Sequence, residues 1–322
     1  MTEWLYKRLS VGISFGLITA EEQIKLFDKY SDYIHDVYFS PTESINLQTR
    51  LNIYDFQNTS NEKRQQELGK VLQFVKKRGI KISVVLNASM SAPEYMVELL
   101  DIYQKRYTVD SVTTTTPVAS LIKQTSIQLP IVCSYNEGIC SLNDLLGVID
   151  SGLFNSVVLG NSFIRDFNAF SIIKKHGLLT ILLVNNGCSF GCTNFCHSNK
   201  TDYCKNLFLK RLSDCKDANK LYAQQSLFPE ELFQYYSDNP NMDIFKLSCR
   251  PITYKEYENL FDSYVSGNSK EFIEATSRNY HLYARLGLFR NYYKVLDYNA
   301  VLMQKEYIWG NNINGNNKRP AL

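Results

Sequence analysis

The strongest constraint on the fold is an alternation of short apolar, β-branched runs with longer amphipathic stretches, repeated along most of the chain. A parallel strand buried on both faces reads as a continuous apolar run, whereas a helix shows an apolar stripe of period 3.6. Runs at 11–17, 36–40, 81–86, 110–115, 131–134, 156–159, 179–184 and 244–247 predict eight strands. Helical patterns follow at 20–33, 62–77, 93–107, 141–150, 165–176, 229–236 and 254–265, with a short one behind the fourth strand. Local signals agree: Thr19 with Glu22 three residues later forms a capping-box pattern, Pro93 opens a first turn and Gly79 closes a helix. Eight βα units predict an α/β fold of the (β/α)8 TIM-barrel type rather than an open doubly wound sheet. The phosphate fingerprint of the open sheet, G-x-G-x-x-G, is absent, because the first run passes directly into Ile18-Thr19-Ala20.

Two segments break the rhythm. Residues 44–62 are polar and rich in asparagine, and residues 185–227 form a connection far longer than an ordinary βα loop. The second begins at the carboxyl end of the seventh strand, the face on which barrels build their sites. The expected organisation is a barrel over 1–266, with a cysteine-rich loop at 185–227, a helical extension over 267–310 and a disordered tail at 311–322.

Composition narrows the function. Hydrophobic residues make up 44% of the 322, enough for a packed core and too many for a disordered chain. Lys and Arg number 35 against 32 acidic residues, a net charge of +3, which argues against a general electrostatic binder of nucleic acid. No apolar stretch approaches the roughly 18 residues of a membrane span, and residues 1–8 show no signal-peptide core. The expectation is a cytoplasmic protein with no membrane or nucleic-acid partner.

Of eight cysteines, four fall between 188 and 204: Cys188, Cys192, Cys196 and Cys204, spaced C-x3-C-x3-C-x7-C. Thiolates gathered in one loop repel one another unless a cation holds them, and the ordinary holders are zinc and an iron–sulfur cluster. Structural zinc favours C-x2-C knuckles, and this chain has none. The wider spacing suits a cubane [4Fe–4S] cluster, with zinc the runner-up. Gly187 and Gly191 relieve crowding beside two of the sulfurs, and Phe190 and Phe195 would exclude water. The fourth ligand is open between Cys204, Cys215 and Cys249. His197 reads as a neighbour of the cluster rather than a ligand, and Cys133 as a core residue of the fifth strand.

Further polar residues stand at carboxyl strand ends, which converge on one mouth in a barrel. Asn136 and Glu137 follow strand five, Asn161 and Arg165 strand six, Asn185 and Asn186 strand seven, and Arg250 strand eight. Arg165 and Arg250 would hold an anionic group and Glu137 would serve as acid or base; the four asparagines would bind substrate. Each also admits a plainer role as a helix cap or ion-pair member. Thr113–Thr116 reads as strand packing, and His35, His176 and His281 as structural. No G-x-S-x-G, H-E-x-x-H or Ser-His-Asp order occurs.

Several of these runs resemble the U32 peptidase (collagenase-like) family. They are Pro130–Glu137, Val158–Asp166, Leu183–Cys188, Phe228–Leu232 and Phe245–Arg250, spread over residues 10–265. Cys249 stands where that family's closing strand carries glycine before arginine. The resemblance implies a barrel and a [4Fe–4S] cluster on four cysteines. It also implies, for several members, oxygen-independent hydroxylation of ubiquinone precursors or RNA bases, with prephenate the oxygen donor for some. This chain lacks the large C-terminal region of the RNA-modifying members, so the expected substrate is a small molecule or peptide. A homologous partner subunit is also expected. The alternatives are a non-catalytic, metal-stapled barrel acting as a subunit or binding module, and the metal-dependent peptidase of the family's label.

Overall fold

The computed structural model describes residues 3–13, 18–41, 60–87, 92–160, 163–184, 227–247, 253–267 and 304. The strands are β1 (Leu9–Gly12), β2 (Ile34–Phe39), β3 (Lys81–Leu86), β4 (Ser111–Thr114), β5 (Ile131–Cys133), β6 (Ser156–Leu159), β7 (Leu179–Leu183) and β8 (Ile244–Leu247). They form a closed barrel in chain order, every pair parallel. The expected (β/α)8 architecture is therefore observed. Helices follow in turn: α1 (Ala20–Lys29), α2 (Asn61–Lys77), α3 (Pro93–Tyr107), α4 (Thr116–Ile122), α5 (Leu142–Asp150), α6 (Phe167–Lys175), α7 (Pro229–Glu231) and α8 (Tyr254–Ser266). A π-helical turn, Leu232–Tyr236, continues α7. None of the described helices is long and apolar enough to cross a membrane.

Side chains alternate across each strand, so the barrel carries two apolar layers. Val11, Val37, Val84, Val112, Val157, Leu182 and Phe245 face the helices and join one large core with Leu26, Phe27, Leu72, Tyr103 and Phe261. Val132, Val158, Ile181, Leu183 and Ile244 form a separate cluster inside the barrel. Closure occurs where β1 meets β8, Leu9 opposite Phe245 and Ser10 opposite Lys246. Arg8 seals the lower end of this seam. It donates to the carbonyls of Trp4 (3.2 Å), Ser237 (3.3 Å), Asp243 (3.2 Å) and Met242, and its guanidinium lies 4.8 Å from the centre of the Phe245 ring. The helical layer closes at the same place, with Tyr30 after α1 stacked on Phe261 of α8 at 4.6 Å.

Helix starts follow the local chemistry. Thr19, Ser141 and Thr253 each make a full capping box with Glu22, Asp144 and Glu256. The reading of helix 20–33 overran, because α1 ends at Lys29 and the chain already turns toward β2. His35 lies in β2.

The long connection after β7 begins and ends at one point. The Leu227 amide donates to the Val184 carbonyl at 2.9 Å, so the barrel leaves and resumes within one hydrogen bond. Residues 185–226 lie outside the described residues, as do 42–59 and nearly all of the C-terminal extension. Because the two ends already meet, replacing 185–226 by a short Gly-Ser linker costs the barrel little closure entropy. Such a variant is expected to keep the far-UV circular dichroism of the barrel and a single cooperative melt; loss of that melt would show that the barrel needs the insertion.

Candidate functional site

The carboxyl rim of the barrel gathers polar residues from β3, β5 and β6. Ser134, the residue after β5, accepts from Asn87 Nδ2 at 2.7 Å and from the Asn136 amide at 3.1 Å. Asn136 Nδ2 donates in turn to the Asn87 carbonyl at 3.1 Å. Asn136 is thus buried in a network that ties the ends of β3 and β5 together. Asn87 is a member that the sequence reading missed, since one asparagine past a strand carries no distinctive signal.

Glu137 turns toward α4. Its carboxylate accepts from the Thr116 amide at 2.8 Å and from the Thr116 hydroxyl at 2.7 Å, so it caps the start of that helix. Thr113 and Thr114 bond Ser83 (3.3 Å) and the Leu86 carbonyl (2.5 Å), in line with a packing role. Cys133 is buried in the core, and burial first, then the charge of Glu137, pushes its thiol well above the ordinary range. Such a thiol is a poor nucleophile and a poor metal ligand.

Arg165 is held by Glu231, the last residue of α7. Its Nε and Nη2 donate to Glu231 Oε1 at 3.0 and 2.8 Å. Glu231 Oε2 accepts from the Phe228 amide at 2.7 Å, and the two side chains are only 10% and 6% exposed. This pair clamps the returning end of the long connection onto the loop after β6. Tyr236 reinforces it by donating to the Ile164 carbonyl. Removing one partner of a buried pair leaves an uncompensated charge, at a cost of about 3–5 kcal/mol. Arg165→Met or Glu231→Gln is expected to lower stability by roughly that amount in urea unfolding, and a loss below about 1 kcal/mol would contradict the clamp.

Tyr135 lies across the inner cluster, half-buried. Gly160 makes room for it: a Cβ there would stand 2.0 Å from Tyr135 Cε2. Gly160→Ala is expected to cost about 1–3 kcal/mol by overpacking. Adding Tyr135→Ala should recover part of that loss; no recovery would mean that another contact is responsible.

Inside the barrel, the wall formed by β8 and β1–β4 is polar. Ser10, Asp36, Ser83 and Thr113 project inward there, with Tyr38 and Lys246. Ser10 sits between Lys246 on one neighbouring strand and Asp36 on the other, and its hydroxyl donates to Asp36 Oδ2 at 3.2 Å. Lys246 Nζ lies 3.9 Å from the centre of the Tyr38 ring, and the Tyr38 hydroxyl donates to the Leu247 carbonyl at 2.5 Å. The ring occupies space that a side chain at position 12 would take, since a Cβ on Gly12 would approach Tyr38 Cζ to 2.9 Å. Burial raises the proton affinity of the Asp36 carboxyl, and the charge of Lys246 opposes the rise. Sequence reading also missed this wall, although Asp36 and Tyr38 sit at an i, i+2 spacing in β2 and mark one polar face.

Asn161, Asn185, Asn186 and Arg250 lie outside the described residues, as do Cys188, Cys192, Cys196, Cys204, Cys215, Cys249 and His197. Among the described residues, no three His, Cys, Asp or Glu side chains are grouped to hold a metal ion.

No family model matches the chain, and no curated protein matches it in sequence. Solved structures are similar to the chain at low identity. The structure of a U32 peptidase is 13% identical, with a TM-score of 0.48, over 76% of this chain and 93% of that one. N-acetylneuraminate lyase from Fusobacterium nucleatum is 11% identical, with a TM-score of 0.40, over 99% and 93%. An L-alanine-DL-glutamate epimerase from Burkholderia xenovorans, described as bound to magnesium and fumarate, is 11% identical, with a TM-score of 0.43, over 78% and 59%.

Proposed function

We propose that this barrel is a U32-like iron–sulfur enzyme of the cytoplasm that modifies a small molecule or peptide by oxygen-independent hydroxylation or a related reaction. One observation carries the reading: four cysteines fall within 188–204, inside a connection whose two ends meet at the carboxyl end of β7. A set of four thiolates fits the donor chemistry of a [4Fe–4S] cluster, and the described rim supplies no competing set of metal ligands. In this reading Cys188, Cys192, Cys196 and Cys204 hold the cluster, which supplies one-electron transfer when bound. The chain's own residues bind and orient. Asn161, Asn185 and Asn186 are assigned to substrate. Asn136 shapes the rim through Asn87 and Ser134. Arg165 is engaged by Glu231 and Glu137 by Thr116, so anion positioning passes to Arg250.

The engagement of those two side chains favours a second reading, in which metal staples the connection and the barrel is a non-catalytic subunit or binding module. The metal separates the two. Protein purified without air is expected to carry about four iron and four sulfide per chain. Serine at Cys188, Cys192, Cys196 or Cys204 should bleach the visible absorption, while Cys133→Ser and Cys140→Ser should not. Zinc without sulfide would establish the stapled barrel, and absence of any metal would overturn both readings.

A further inference from the structure

The most exposed large apolar side chains among the described residues are Tyr6 and Phe233, at 62% and 58%. Trp4, two residues before Tyr6, ties Phe233 to the foot of the β1–β8 seam: its ring lies 6.2 Å from Phe233 and 5.8 Å from Phe245. The Trp4 indole N–H is buried and meets no acceptor among the described residues. A donor shut away from water is costly without an acceptor, so the acceptor belongs to what covers this patch. Asp32 and Asp238 stand on its two sides. The Asp32 carbonyl accepts from the Lys7 amide, and Asp238 follows Ser237, whose carbonyl accepts from Arg8. Both carboxylates are exposed, and neither has a cationic partner among the described residues.

The chain itself returns to this place. Barrel helices run from the carboxyl rim back to the foot, and α8 ends there at Ser266, with Gly267 as its left-handed cap. Shortly before that end, Phe261 stacks on Tyr30. The residues after Tyr30 hold the N-terminal segment: Lys7 Nζ donates to the Ser31 carbonyl at 2.8 Å, and the Lys7 amide to the Asp32 carbonyl at 2.9 Å. The residues after 267, of which only 304 is described, therefore start near Tyr6. Their sequence sets Leu282, Leu286, Phe289, Tyr293 and Leu296 at i, i+4, i+7, i+11 and i+14, the spacing of one apolar helix stripe. Arg285 and Arg290 fall on either side of that stripe. Residues 268–281 can span up to about 45 Å, ample for so short a distance.

We propose that residues 280–298 form an amphipathic helix that docks on the foot of the seam, its apolar stripe over Trp4, Tyr6 and Phe233 and its two arginines facing Asp32 and Asp238. An apolar patch with an acidic rim meets an apolar stripe with a basic rim, so burial and charge favour the same placement. The docked segment straps the closure from outside, at the end of the barrel opposite the mouth. It rests on neither the cysteines nor the enzyme reading, so it stands or falls apart from the iron content.

The test uses the full chain. The chain has 2 tryptophans, so Trp309→Phe leaves Trp4 as the sole reporter. Its emission is expected to be blue-shifted and poorly quenched by acrylamide. Adding Leu286→Asp and Phe289→Asp should shift that emission to the red and speed amide hydrogen exchange of residues 3–8 at least about tenfold, with residues 131–138 unchanged. From the other side, Phe233→Asp should speed exchange across 280–298 to a similar extent. Circular dichroism checks that each variant is folded, and exchange across 280–298 in the unaltered chain decides the matter should a variant not fold. Full exchange of 280–298 at the rate of an unstructured peptide would overturn the proposal, as would unchanged Trp4 emission and exchange in the double aspartate variant. A concentration-dependent dimer in sedimentation, with residues 3–8 protected and 280–298 unprotected, would overturn it in favour of a second copy on the patch.

Discussion

Everything in this molecule depends on the pairing of β1 with β8. A parallel sheet left open there would present two unpaired edges and an inner face exposed to water. Closure removes both problems together, but it joins residues more than two hundred positions apart, which is slow and entropically costly. The seam is correspondingly reinforced. Arg8 spends its guanidinium on carbonyls from both sides of the joint, and the Arg8 carbonyl accepts from the Phe245 amide at 2.8 Å. At the other end, Tyr257 of α8 donates to the Gly12 carbonyl at 2.7 Å, so the last described helix grips the upper end of the first strand. The seam thus has a lock at each end, and the helices close over it.

Closure also decides what the inner face means. A charged residue in an isolated strand faces water at no cost; the same residue on the inner face of a closed barrel is enclosed. Asp36 and Lys246 acquire their significance only through the register that sets both beside Ser10. The opposite wall is ordinary branched packing. The interior is therefore divided along its axis, β8 and β1–β4 polar against β5–β7 apolar, with Ile244 completing the apolar side at the foot of β8.

Much of the fold was legible in the sequence because local and global preferences agree. The bounds of β3, β6, β8 and α3 match the pattern residue for residue, since their apolar runs are flanked by clear breakers. Reading failed where one residue type serves two purposes. β1 was placed two residues late, because Ser10 and Gly12 interrupt its apolar run and the apolar residues after Gly12 prolong it. Helix α1 was drawn too long because Tyr33 and Ile34 continue its apolar phase into the next element. The candidate site was legible as a set of positions on one rim, but not as a set of partners. Nothing in the sequence says that Glu231, brought back by the long connection, will meet Arg165, or that Glu137 will cap the helix beginning at Thr116.

Those partnerships have a shared physical consequence. Asn87, Ser134 and Asn136 satisfy one another, Glu137 satisfies a helix start, and Glu231 satisfies both Arg165 and the Phe228 amide. Buried polar groups in such closed networks are rigid, because any displacement leaves a donor or acceptor unpaired. A rim built this way is suited to holding a shape rather than to moving protons. It fixes the two ends of the connection after β7 and leaves reactive chemistry to groups outside these networks. The division of labour follows from saturation: side chains whose hydrogen bonds are already complete can position a ligand, but they have little left to offer it.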